Sequence, residues 1–187
     1  MCSNSLGRSE TLVKIAQRLR LYKPHHSFDV SDGSTSLRNS RIQDSAPELF
    51  PQGVVPSEVA LPGGKWEEGD KNDAETALRE AKEEIGLDPS IVEVVTILEP
   101  FYTKRNITVF PVVGIIWNKN EFNAVPNASE VESVFDAPFR DVSQVEGKSY
   151  VIWALTAAIL IKAASVIYQQ PPAFEEHRPK FWSRSRQ

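Results

Sequence analysis

Cysteine is almost missing from this chain. Cys2 is alone among 187 residues, so no intrachain disulfide can form, and the chain reads as the product of a reducing compartment. Histidine is scarce too, with three residues, and His25 and His26 sit side by side next to Pro24. That placement reads as loop, and no Cys/His spacing matches a zinc site. Positive charge is short: 21 Lys and Arg face 25 Asp and Glu, a net charge of −4. No basic field draws in nucleic acid, and a nucleotide-like substrate would need local cations. Residues 1–23 contain no apolar signal-peptide core. The most apolar stretch, 150–168, is interrupted by Lys162, and the longest continuously uncharged and largely apolar part of it is 151–161. We read it as a buried domain helix, with no membrane span. Internal repeats are absent.

What is present is an ordinary globular composition, 41% hydrophobic and 25% charged, long enough for one full core. The functional information is concentrated in residues 63–87, GGKWEEGDKNDAETALREAKEEIGL. The spacing predicts a helix over 73–85. Asn72 is a suitable N-cap, Glu75 stands at the capping-box offset, and Gly86 suits a left-handed C-terminal turn. Ala74, Leu78, Ala81 and Ile85 form an apolar stripe. Glu80, Glu83 and Glu84, at i, i+3 and i+4, point away from it. Three carboxylates on one side repel each other unless cations neutralise them. Hard oxygen ligands suit Mg²⁺ or Mn²⁺, ions that suit phosphate chemistry. Arg79 stands beside the cluster, able to orient Glu80. A solvated acidic face is the plain alternative for Glu83 and Glu84 alone.

These residues resemble the Nudix hydrolase family, whose pattern is G-x5-E-x7-R-E-U-x-E-E-x-G-U with U aliphatic. Gly64, Arg79, Glu80, Ala81, Glu83, Glu84, Gly86 and Leu87 match it in type. Asp70 stands where the family usually has Glu, and eight residues separate it from Arg79. Both departures are similar to the coenzyme A pyrophosphatase branch, PGGKxDxxDxDxxxTALREAxEEIGL. The resemblance implies an α/β/α sandwich with a mixed sheet. It implies hydrolysis of a nucleoside diphosphate linked to another moiety. For the coenzyme A branch, the products would be 4′-phosphopantetheine and adenosine 3′,5′-bisphosphate. The alternatives are ADP-ribose or NADH as substrate, or an impaired, shortened member. Glu80 and Glu84 would be the direct metal ligands and Glu83 a further one or a water-mediated one. Arg79 would hold the glutamates. Gly63, Gly64 and Lys65 would approach the metal and substrate. Glu130, in PNASEVESVF, resembles a PNPAEV stretch of the same branch and would act as base or extra ligand; its alternative is an acidic residue opening a helix after Asn127 or Ser129.

Four segments are expected: an N-terminal helix and linker over 1–26, a loop-rich stretch over 27–56, the hydrolase domain over 57–170 and a tail over 171–187. Leu12, Ile15, Ala16 and Leu19 share one helical face, suiting either a surface helix or an organellar presequence. The reading adopted is a cytoplasmic protein, with a mitochondrial or other organellar location as the alternative. Strands are expected at 91–98 and 107–117, the second with Pro111 at an edge or bulge. A short extended piece is expected at 54–61, and a last helix over 149–169 that Pro171 and Pro172 stop. Residues 27–57 hold no long strand and no LTKRS-like segment of the kind that precedes the box in coenzyme A-type members. The stretch from 142 to 150 is short as well. The sheet is therefore expected to be incomplete.

Overall fold

The computed structural model describes residues 9–24, 59–103, 107–136, 144–145, 148–149, 152 and 154–175. The loop-rich stretch, most of the 54–61 candidate strand, His25 and His26, and the tail around Phe181 and Trp182 lie outside them. Three α-helices are described, α1 (Glu10–Leu21), α2 (Asp73–Ile85) and α3 (Ala154–Tyr168), beside two short 3-10 turns at Pro89–Ile91 and Lys119–Glu121. Six short strands accompany them: β1 (Val92–Ile97), β2 (Phe101–Tyr102), β3 (Thr108–Val109), β4 (Val112–Ile116), β5 (Gln144–Val145) and β6 (Lys148–Ser149). The mixed α/β class expected from the sequence stands. Among the described residues the strands pair only antiparallel, as β1–β4, β2–β3 and β5–β6.

The helix expected over 73–85 forms at those bounds. Asn72 accepts the Glu75 N–H at 3.0 Å, and Gly86 closes the other end with φ 71°. Glu75 returns its carboxylate to the Lys71 N–H at 3.0 Å, one residue before the position that the capping box predicts. The strand expected over 107–117 is broken. Phe110 and Pro111 separate β3 from β4, because a proline has no N–H for the ladder. Pro111 is buried and its carbonyl accepts the Leu98 N–H at 2.9 Å. The irregularity in the register lies on the partner strand, between Val94 and Thr96.

The first helix is not a surface helix. Ala16 and Leu19 are 0% and 1% exposed and form the core cluster with Val95 and Ile115. Ile15, Val113, Trp117, Val166 and Ile167 pack around it. The apolar face of α1 thus serves packing against β1, β4 and α3. Arg18 donates to the Ile167 carbonyl at 3.1 Å, satisfying a carbonyl at the end of α3. Beyond that end, Gln169 adopts φ 55°, so a left-handed residue closes the helix ahead of Pro171. Most of α3 is half-buried, with Ala158 and Ala163 the buried positions among its described residues. Lys162, the charge inside the apolar run, pairs with Glu99 at 2.9 Å and lies 5.6 Å from the centre of the Tyr22 ring. No helix among the described residues is long and apolar enough to cross a membrane.

Candidate active site

One guanidinium organises the loop before α2. Arg79 Nε and Nη2 donate to Asp70 Oδ1 and Oδ2 at 3.2 and 3.1 Å, the two-pronged geometry that a planar fork favours. Nη1 donates to Glu80 Oε1 at 3.0 Å and to Glu83 Oε2 at 3.1 Å. Nη2 also donates to the Lys65 carbonyl at 2.8 Å. Asp70 is 8% exposed and takes two further bonds, from the Glu67 N–H at 3.0 Å and the Thr76 hydroxyl at 2.9 Å. Hydrogen bonding from Arg79 overcomes the effect of burial and holds the Asp70 carboxyl below the usual range. In the sequence Asp70 stands out only as a departure from the family pattern. In the structure it is the hub that ties Trp66–Lys71 to the helix.

Glycine is required at one of the two paired positions for a steric reason. A Cβ on Gly64 would lie 2.0 Å from Glu80 Oε1, 2.2 Å from its Cδ and 2.5 Å from Oε2. The loop therefore lies directly on the Glu80 carboxylate. A Cβ on Gly63 would meet nothing within 4 Å, and the contribution of Gly63 is a backbone hydrogen bond to the Glu84 carboxylate. Lys65 contributes its carbonyl to Arg79, and its side chain is exposed.

The glutamates are electrostatically linked. Burial, opposed by Arg79 and reinforced by Glu83 and Glu67, raises the Glu80 carboxyl above its ordinary value. Burial also raises Glu84, against the Gly63 bond, with Glu80, Glu130 and Glu83 adding to the rise. Glu130 thus stands close enough to Glu84 for their charges to interact, although 46 positions separate them in the sequence. A tether explains this. The Asn127 and Val125 N–H groups donate to the Glu84 and Ile85 carbonyls at 2.8 and 3.0 Å, satisfying the open end of α2. Glu130 then sits in a turn, with its N–H bonded to the Asn127 carbonyl at 2.9 Å and Ser129 bonded to the Asn127 side chain. Asn127 caps a turn here, with no helix or strand over 130–135. The Asn127 and Val125 anchors escape sequence reasoning because neither residue has a periodic partner.

Glu80 and Glu84 are hard oxygen donors, partly buried and mutually repelling, which is the environment a cation relieves. Arg79 competes for one oxygen of Glu80 and one of Glu83, and the Glu83 side chain is 54% exposed. Among the described residues no three acidic, histidine or cysteine side chains close into a coordination group. The residues fit the cation by their chemistry and charge.

The helix α2 thus carries Arg79 and Glu80 in its second half, with Gly64 seated on the Glu80 carboxylate and a left-handed Gly86 at its end. A profile described as NUDIX domain matches residues 42–149. The chain is 52% identical to "Nudix hydrolase 15, mitochondrial" of Arabidopsis thaliana, over 95% of this chain and 71% of that protein. It is 38% identical to "Nudix hydrolase 22, chloroplastic" of the same plant, over 91% and 78%. It is 36% identical to "Peroxisomal coenzyme A diphosphatase NUDT7" of Mus musculus, over 64% and 61%. The chain belongs to the Nudix hydrolases, enzymes that depend on divalent cations and act on small nucleotide-containing substrates. The first two alignments, of 212 and 234 positions, are longer than the 187 residues of this chain. They therefore include internal positions at which the relative has residues and this chain has none. The cytoplasmic reading is corrected: two of these relatives carry mitochondrial and chloroplastic names.

Proposed function

We propose that this chain hydrolyses the diphosphate bond of coenzyme A or its derivatives, giving 4′-phosphopantetheine and adenosine 3′,5′-bisphosphate. The observation that carries the reading is the carboxylate cluster. Glu80 is seated on Gly64, Glu84 takes the Gly63 backbone bond, and Glu130 is tethered beside Glu84. The coenzyme A assignment is supported by the branch-specific position of Asp70 and by the relatives named as coenzyme A diphosphatases, at 36% identity for mouse NUDT7 and 34% for human NUDT8.

Glu80 and Glu84 would hold Mg²⁺ or Mn²⁺, with Glu83 as a further carboxylate. The bound cation supplies a Lewis acid for the diphosphate oxygens and makes an attacking water more acidic. Arg79 keeps Glu80 and Glu83 in place by bonding them while anchored on Asp70. The backbone of Gly63 and Gly64 lets the substrate approach the carboxylates closely. Glu130 takes the proton from the attacking water; a box glutamate is the other acceptor. The compartment proposed is an organelle, on the names of the plant relatives.

A second reading is favoured by a specific observation. The alignments hold internal positions that this chain lacks, and its described strands form three separate two-stranded pairs. In that reading the box is kept and turnover is impaired. One experiment decides. Purified protein with a cooperative melt is incubated with coenzyme A, NADH or ADP-ribose and Mg²⁺ or Mn²⁺, and the phosphate products are identified by phosphorus NMR and mass spectrometry. Cleavage of coenzyme A to the two named products is expected. Cleavage of NADH or ADP-ribose instead moves the substrate. No cleavage by a chain that melts cooperatively and gains stability from the cation establishes the impaired reading.

A further inference from the structure

Trp66 is fixed in place and exposed at once. Its indole N–H donates to the Asp70 carbonyl at 2.9 Å. The carbonyl of the residue before it, Lys65, is held by Arg79 at 2.8 Å, and the N–H of the residue after it, Glu67, is held by Asp70 at 3.0 Å. Three bonds therefore pin the turn that carries the ring, and all end on the residues that organise the glutamates. Despite this anchoring, Trp66 is 49% exposed. An aromatic surface left in water is a cost unless something covers it. Two residues upstream, Gly64 lies on the Glu80 carboxylate. The ring thus stands on the loop that forms the wall of the carboxylate site. Its neighbours Glu67 and Glu68 are exposed acids, which repel phosphate from this turn and favour the uncharged part of a nucleotide.

We infer that Trp66 is a platform on which the base of the substrate stacks, a specificity-determining residue that takes no part in the proton transfers. This rests on the reading of the site as a hydrolase of nucleotide-containing diphosphates. Stacking needs no charge on the protein, which suits a chain of net charge −4. Pre-anchoring through the indole N–H means that little freedom is lost when the base arrives.

Two variants separate ring from anchor: Trp66→Gln keeps an N–H donor and removes the ring, and Trp66→Phe keeps a ring and removes the donor. Equilibrium binding of adenosine 3′,5′-bisphosphate and of inorganic diphosphate is measured alongside KM and kcat on coenzyme A. Trp66→Gln is expected to weaken nucleotide binding and raise KM by roughly five- to 150-fold, the range of one base–aromatic stack. Its effect on kcat and on inorganic diphosphate should be small, and Trp66→Phe should restore most of the loss. Unchanged nucleotide binding in Trp66→Gln overturns the platform. So does equal weakening of inorganic diphosphate, which would make the ring a mere loop support. The binding arm is independent of turnover: ring-dependent binding by a chain that cleaves nothing upholds the platform and refutes the hydrolase reading.

Discussion

Replacing Gly64 by alanine adds one methyl group at the most crowded point of the site. Gly64 is not among the described glycines with positive φ, which are Gly69 and Gly86, so alanine meets no backbone penalty there. By narrowing the unfolded ensemble it would stabilise the chain by about 0.4–1 kcal/mol. Against this, the new Cβ falls 2.0–2.5 Å from the Glu80 carboxylate, so the carboxylate must swing away. It then gives up its 3.0 Å bond from Arg79, a charge-assisted bond of about 1.5–3 kcal/mol between groups that are 13% and 22% exposed. The net result is a loss of about 1–2 kcal/mol, or roughly 2–8 °C in melting temperature for a chain of this size. Turnover suffers more. A shift of the order of 1 Å in a positioned carboxylate costs about 10²-fold. Gly63→Ala is the internal control, because its Cβ meets nothing within 4 Å and its N–H to Glu84 is kept. The assay is the initial rate of diphosphate cleavage with Mg²⁺, read beside a thermal melt of each variant. Gly64→Ala with wild-type turnover, or Gly63→Ala as damaging as Gly64→Ala, would refute the close-approach reasoning.

Three further outcomes are expected. Glu84→Gln should lower turnover by about 10²-fold or more while leaving the metal-free melt at pH 7 unchanged or higher, because a neutral amide removes the cost of burying the charge and the repulsion from its acidic neighbours. The sign follows from the raised carboxyl: wild type gains stability as pH falls through that raised value, the gain is complete below the ordinary glutamate value, and melts of wild type and variant across that window measure it. Lys162→Met should cost about 2–4 kcal/mol, since it takes the cation from the partly buried Glu99, and Lys162→Met with Glu99→Leu should recover part of the loss in denaturant titrations, the buried Tyr22 hydroxyl limiting the recovery. Burial alone would raise Glu99, but the Tyr22 hydroxyl and Lys162 hold it low. The wild-type pair therefore stabilises above the ordinary carboxyl value and is lost as pH falls through the lower folded one. Gln169→Gly should stabilise by about 1 kcal/mol in the same titration, because glycine takes the left-handed end of α3 without a Cβ penalty.

The helix α2 was legible because each of its signals is local. Asn72, Glu75 and Gly86 are read at fixed offsets, and the stripe through Ala81 needs only the helical period. Long-range consequences were not legible. The apolar face of α1 has the same pattern whether it meets water, an import receptor or β1, and only packing reveals that Ala16 and Leu19 lie in the core. Pro111 announced an irregularity, yet whether a proline bends a strand or divides it depends on what its own carbonyl bonds to, here the Leu98 N–H. Of the site, the types and spacing of Arg79, Glu80, Glu83 and Glu84 were readable. The role of Asp70 was not, because its position says nothing about the fork it accepts. Glu130 was readable as a resemblance, and its placement beside Glu84 comes from backbone bonds by Val125 and Asn127 that carry no side-chain signature.

The same distinction explains how a box can persist in a chain that lacks internal positions of its relatives. Nearly every bond that shapes the site is local: Arg79 reaches Asp70, Glu80, Glu83 and Lys65, Trp66 reaches Asp70, and Asn72 reaches Glu75. Such contacts close short loops at small entropic cost and do not require a complete sheet. Among the described residues, the long-range element is the segment of Val125 and Asn127, and it binds the end carbonyls of α2, not a strand edge. The lack of positions elsewhere is therefore compatible with these local bonds. Under the proposed function this divides the labour: the local module would determine which bond is broken, and the surrounding surfaces which molecule is presented to it. Trp66 belongs to both in the inference drawn above, being anchored by the local module and half exposed, so Trp66→Gln, which keeps an N–H donor, is the variant that reports on presentation with the least effect on the carboxylates.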